Sequence, residues 1–222
     1  MLRIAIAVAC AAGVGLTAAE GFVSARYRAG AAPGLPVRAV GGGEAFLELS
    51  VDEGGSVTDV SPLRTTPPFT SFAISATRDW LFRPAEDDVL QRLPGGRERS
   101  VHITSASKVL FAAMYRPPVL SGFTLGEQPH DVAAPTPDVP YPIGTSLPAF
   151  PPRALEGGVV LLEARVGADG SVSGIRVIHS APPFDEPARA ALARWLFRPA
   201  RRHDVNVAAY VYVAFGFPIP VT

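Results

Sequence analysis

His179, Ser180 and Asp185 lie close together in the sequence, and a histidine, a hydroxyl and a carboxylate are the ingredients of an activated nucleophile. Such a serine needs a sharp strand-to-helix elbow to expose its oxygen, and the glycine pattern of that elbow does not surround Ser180. The positions matching these three in an internal repeat carry Arg64, Thr65 and Thr70. Ser105, Ala106, Ser107 and Lys108 have the S-x-x-K spacing, but no K-T-G accompanies them. His102, His130, His179 and His203 show no ligand spacing and join no cysteine or carboxylate cluster. No catalysis, metal, cofactor or small-molecule substrate is therefore expected. Arg83 and Arg198, each followed by Pro-Ala, read as structural hydrogen-bond donors or stacked guanidinia. Trp80 and Trp195 read as core. Tyr210 and Tyr212 share one side of a strand and either touch a partner or fill a sheet face.

The bulk composition narrows the field further. Apolar residues make up 48% of the 222 residues and charged ones 18%, enough for a packed core. Twenty basic residues balance twenty acidic ones, so no net field draws in nucleic acid. The only cysteine, Cys10, sits in an apolar run from 4 to 19 that follows Arg3 and ends before Glu20. This is a targeting segment. It falls short of the roughly 20 residues of a comfortable membrane span. A cleaved signal peptide and a short uncleaved anchor both fit, within residues 1–25. Small residues at Thr17, Ala18, Ala19 and at Val23, Ser24, Ala25 favour cleavage, whereas a lipoprotein would need acylation at Cys10. Each version sends the remainder of the chain out of the cytoplasm.

A shift of 115 positions aligns residues 33–85 with 148–200 without a gap, and 23 of the 53 pairs are identical. The longest block is Trp80, Leu81, Phe82, Arg83, Pro84, Ala85 against Trp195, Leu196, Phe197, Arg198, Pro199, Ala200. A tandem repeat sets the fold expectation: one module at 33–115, another at 148–222. Residues 116–152 hold ten prolines in 37 positions. The stretch 116–147 is thus expected to be a semi-rigid, extended linker.

In the second copy Val160, Leu162, Ala164 and Val166 alternate with Glu163 and Arg165, the period of a half-buried strand. Gly167 to Gly170 supplies a turn, and a second strand follows to about His179, with a bulge near Ser173 and Gly174 where the apolar parity changes. Asp185 is placed to cap a helix with Pro187 in its first turn, and Ala188, Ala191, Leu192 and Trp195 share one face. A last strand spans 206–217. The expected fold class is α+β: two modules, each an antiparallel three-stranded sheet with a helix on one face, in the order strand, strand, helix, strand. The last strand must lie at an edge or pair with something, and an open edge can accept an incoming chain. The candidate partner-binding residues are Val207, Ala208, Tyr210, Val211, Tyr212 and Val213.

These residues together resemble the C-terminal domain of the TonB family. The resemblance rests on Phe150, Pro151, Pro152, Arg153, Ala154; Gly158, Val159, Val160, Leu161, Leu162; Asp169, Gly170, Ser171, Val172; Phe184, Asp185, Glu186, Pro187, Ala188; and the block from Trp195 to Ala200. It covers about 70 residues of the second copy and, more weakly, a similar span of the first. It implies a periplasmic domain that binds outer-membrane TonB-dependent transporters by strand addition, with an N-terminal helix coupled to an ExbB and ExbD proton channel. Two departures stand against the full role. Residues 4–19 hold no histidine, which the family's anchor usually carries, and the proline-rich spacer lies between the copies instead of before the domain. A structural envelope protein that self-associates through its edges is the alternative.

Overall fold

Residues 43–51, 107–115, 158–166 and 209–217 are apolar almost throughout, and strands of that composition need cover on both faces. The computed structural model, which describes residues 21–36, 41–92, 98–116, 127–152, 154 and 156–218, supplies that cover. The first half holds β1 (Arg26–Ala29), β2 (Gly43–Val51), β3 (Val57–Thr65), α1 (Phe69–Thr77), β4 (Leu81–Arg83), β5 (Ala85–Arg92), β6 (Glu98–Ser105) and β7 (Ser107–Tyr115). The second holds β8 (His130–Asp131), β9 (Tyr141–Gly144), β10 (Gly158–Val166), β11 (Val172–His179), α2 (Asp185–Leu192), β12 (Leu196–Arg198), β13 (Ala200–Arg202), β14 (Val205–Val207) and β15 (Ala209–Phe217). The fold is mixed, mostly strand with two helices, and the main sheet is open. The expected targeting segment, 4–19, lies outside the described residues, among which no helix is long and apolar enough to cross a membrane.

Two separate three-stranded sheets were expected; a single seven-stranded sheet is found, in the order β11-β10-β15-β7-β2-β3-β8. Each half contributes three long strands, the short β8 of the second half adds a seventh beside β3, and the halves meet where β15 runs parallel to β7. Joining two modules through parallel last strands turns their helices to opposite faces. Leu47 and Leu49 of β2 pack with Phe69 and Ala73 of α1, in a core that also takes Val159, Leu161 and Tyr212 from the second half. On the other face Val160, Leu162 and Phe215 pack with Ala188 and Leu192 of α2, together with Phe46, Leu110 and Met114 from the first half. Each core is thus shared. This explains why β10 is buried on both sides rather than one: Leu161 and Glu163 face away from α2 yet are as buried as Leu162.

What covers each module's second face is the segment preceding a module. Residues 22–35 cross the second half with Ala25 buried and Phe22 and Tyr27 packed beside it, while β1 pairs with β4 of the first half. Val139 and Tyr141 do the same for the first half, while β9 pairs with β12 of the second. The described part of the expected linker is therefore a strap on the body, not a spacer. Its β8 adds to the outer edge of β3.

Local rules explain the repeated turns. Gly55 and Gly170 have φ of +85° and +82°, and a Cβ at either would collide with the carbonyl oxygen of Phe82 or Phe197. Only glycine satisfies both conditions. Trp80 donates its Nε1–H to the Ala31 carbonyl at 2.8 Å and Trp195 donates to Ser146 at 3.0 Å, so both buried indoles are structural. The bulge expected near Ser173 is present, with Gly174 at φ +58°. Asp185 is the first residue of α2 rather than its cap; its carboxylate reaches back to the Ala181 amide and the Ser180 hydroxyl. Trp195 is buried as expected but lies beyond the end of α2.

Candidate partner-binding site

The strand assigned to partner binding is not an edge. Residues 206–217 divide at Ala208: β14 pairs with β13 in a short hairpin, and β15 enters the main sheet. Val207 therefore belongs to that hairpin. Val211, Tyr212 and Val213 are fully buried, and each is paired on both sides, Tyr212 with Glu163 of β10 and Phe111 of β7. Tyr210 is half-buried and donates its amide to the Ser24 hydroxyl at 3.0 Å. The physical reason is pattern. An apolar strand with β-branched and aromatic residues on both faces belongs inside a sheet, and the tyrosine side, expected either to touch a partner or to fill a sheet face, lies under residues 24–27.

Around Tyr212 the seam carries a polar network that the sequence reading missed. Tyr212 accepts a hydrogen bond from the Tyr27 amide at 2.7 Å and donates to Oε2 of Glu163 at 3.4 Å. Glu163, with a side chain only 1% exposed, also receives Arg26 and Arg176, with closest contacts of 3.1 and 3.0 Å. A carboxylate is stable in such a place only when its oxygens are met by donors of this kind. The hydrogen bond to Glu163, with its charge, raises the Arg26 pKa further, and burial pushes the Tyr212 hydroxyl well above the usual tyrosine range. Trp80, Phe82 and Tyr27 surround the Tyr212 ring at 5.6 to 6.0 Å.

Glu48 is the counterpart of Glu163 in the first half. Lys108 donates to it at 2.6 Å, and the Thr136 amide and hydroxyl donate at 2.9 and 2.8 Å. Each buried carboxylate thus fastens a strap: Glu163 holds residues 24–27 through Arg26, and Glu48 holds the segment before β9 through Thr136. A usable sign existed in the sequence. Glu48 and Glu163 are identical across the repeat, and each is flanked on both sides by an apolar residue.

The remaining candidates fall into structural roles. Arg198 donates to the carbonyls of Thr136 and Val139 at 3.1 and 3.4 Å, the kind of bond expected of it, whereas Arg83 is exposed. Ser180 and Asp185 do meet, at 2.6 Å, but Asp185 is engaged as a turn acceptor for the Ala181 amide as well. His102 corrects the expectation that no histidine joins a carboxylate cluster: Asp88 and Glu86 flank its ring at 2.7 and 2.9 Å on the exposed β5–β6 hairpin. Among the described residues no group of three or more such side chains could hold a metal ion.

The family match falls on the half that ends in β15. Residues 147–219 match the family model described as Gram-negative bacterial TonB protein C-terminal. That span holds β10, β11, α2, β12, β13, β14 and β15, so three short strands stand between the helix and the last strand where the expected order had none. The TonB C-terminal match stops at the strap and does not extend into the first half. No curated protein matches the chain.

Proposed function

We propose that this chain is a TonB-type envelope protein that works by binding protein partners rather than by catalysis, its two modules a tandem duplication and its second module facing outer-membrane TonB-dependent transporters. The match over residues 147–219 supports the family part of this reading. The parallel pairing of β15 with β7 carries the rest, because it dictates how a partner enters. An extended transporter segment that adds to β15 meets an edge already held, so it binds by displacing β7. The first module is then an internal occupant of the receptor-facing strand. The periplasm is the compartment, with residues 4–19 as leader or anchor. Those residues lack the membrane histidine, so the proposal stops at binding and leaves ExbB and ExbD coupling aside.

A lock across the seam tests this. Ala112 and Val213 are register partners on neighbouring strands, about 4.8 Å apart in the pairing direction and within reach of a disulfide. In an A112C/V213C chain that also carries C10S, the reduced protein should bind peptides copied from transporter N-termini, with amide shifts along β15. The oxidised protein should bind at least about tenfold more weakly, equivalent to 1.4 kcal/mol. Equal binding in both redox states would sink the displacement idea. A second reading, a structural protein that needs no transporter, draws support from the same seam, since both last strands are already satisfied. It expects no peptide binding in either state.

A further inference from the structure

The two outer edges of the sheet are built alike and finished differently. In β3 a one-residue bulge leaves Leu63 between the pairs Phe46–Arg64 and Leu47–Pro62. A bulged residue drops out of the inner ladder, and here the Leu63 carbonyl turns outward. The strap uses it: the Val132 and Ala133 amides donate to the Leu63 oxygen at 2.8 and 3.3 Å, with His130 opposite Thr65 and Asp131 opposite Arg64. Asp131 also pairs with the Arg64 guanidinium at 2.7 Å.

At the other edge, the same bulge leaves Ile178 between the pairs Leu161–His179 and Leu162–Val177. Ile178 matches Leu63 across the repeat. Among the described residues no strand lies beyond β11. Beside it, between the first strap and β11, is an open cleft of about 480 Å³, walled by Tyr27, Leu35, Val159, Ile178 and His179 together with residues 30–34. The side chains on the cleft walls are apolar apart from Tyr27 and His179, and the backbone adds polar surface. His179 is exposed and stands where Arg64 receives Asp131.

We infer that the β11 edge at Ile178, His179 and Ser180 is a docking site for a short extended segment of a partner protein, of the kind that residues 128–133 represent on β3. The molecule supplies its own template for the occupant. That segment runs antiparallel to β11, donates two consecutive amides to the Ile178 carbonyl and sets an acidic residue against His179; Val132 stays exposed on β3, whereas the cleft beside Ile178 gives its equivalent a pocket for a small apolar side chain. Backbone hydrogen bonds carry the affinity, because an imidazole offers a carboxylate less than the guanidinium of Arg64 does. The site lies two strands from the β7–β15 seam and stands independently of the transporter reading.

The test uses the full chain, isotope-labelled, titrated with a synthetic peptide copying residues 127–134 of the chain itself. Saturable amide shifts are expected at Val177, His179 and Ser180 and around the cleft at Gly30 and Leu35. The same peptide N-methylated at the valine that copies Val132 loses the donor to Ile178 and should bind about tenfold more weakly, with the protein left untouched. The A112C/V213C lock should change neither result, which separates a failure here from a failure of the displacement mechanism. Absence of saturable shifts at millimolar peptide overturns the proposal, as do equal affinities for the two peptides. Shifts confined to β3 and β8 would mean exchange with the chain's own strap and would also overturn it. A doubled molecular mass in the absence of peptide, with the same β11 amides shifted, would assign the edge to a second copy instead.

Discussion

Glu48 and Glu163 occupy the same place in the two halves of the molecule, yet Glu163 is held by two arginines and a tyrosine while Glu48 is held by one lysine and a threonine. The last strands differ in the same sense. Tyr115 closes β7 opposite Gly43 and Phe217 closes β15 opposite Gly158, which makes Leu110 the counterpart of Tyr212. Leu110 is plain core, whereas Tyr212 is core that also ties β10, β15 and the first strap together. The comparison teaches that the second half acts as the organiser. Its strand carries the polar junction, and the first half contributes apolar surface to it.

The largest expected effect separates these counterparts. Tyr212→Ala should lower unfolding stability by about 4–5 kcal/mol, since it opens a cavity among Trp80, Phe82 and Phe111 and orphans the Tyr27 amide, while Leu110→Ala should cost about 3 kcal/mol. Chemical denaturation followed by tryptophan fluorescence measures both, and each variant should unfold in one transition because each core spans both halves. Equal losses, or two transitions, would break the comparison.

Next in size are the carboxylates. Glu163→Ala should cost about 2 kcal/mol and Glu48→Ala about 1 kcal/mol; both stay below the loss typical of a broken buried pair because the orphaned Arg26, Arg176 and Lys108 reach solvent. Hydrogen exchange sharpens the result: Glu163→Ala should expose the Tyr27 amide, and Glu48→Ala the Thr136 amide. Loss of protection at both sites in either variant would show the straps to be one unit.

The smallest effect concerns a feature of the first half alone. Hydrogen bonds to Asp88 and then Glu86 raise the His102 pKa above its ordinary 6.5. A raised folded pKa means that the cross-strand pairing is fully present below about pH 6.5 and fades as pH rises through the raised value. Amides of β5 and β6 should therefore exchange faster at pH 8 than at pH 6, after correction for intrinsic rates, and His102→Gln should remove the difference.

Local elements were legible in the sequence because local rules decide them. The glycine turns, the Gly174 bulge, the buried tryptophans and the apolar side of α2 follow from spacing and steric limits within a few residues. The pairing of β15 was not legible. Val211 and Val213 read as one face and Tyr210 and Tyr212 as the other, and nothing in that alternation says that a strand a hundred residues earlier pairs along the edge of β15 while residues 22–35 cover the tyrosine face. Composition misled in the same way for residues 127–147, where proline favours extension but Val139 and Tyr141 find apolar surface to lie on. Glu48 and Glu163 stood on the polar phase of their strands, and only the two-sided burial turns them into junctions.

The position of β15 has a consequence for how the molecule comes into being. β15 follows every other described strand along the chain yet pairs between β10 and β7, so neither core can close until residues 209–217 are in place. Such an order loads folding with long-range pairings and makes it slow, with β7 and β10 exposed as open edges while the chain waits. Premature termination is correspondingly severe: a chain lacking residues 209–217 is left with a gap of about 10 Å between β7 and β10, where trimming an edge strand would only have narrowed the sheet.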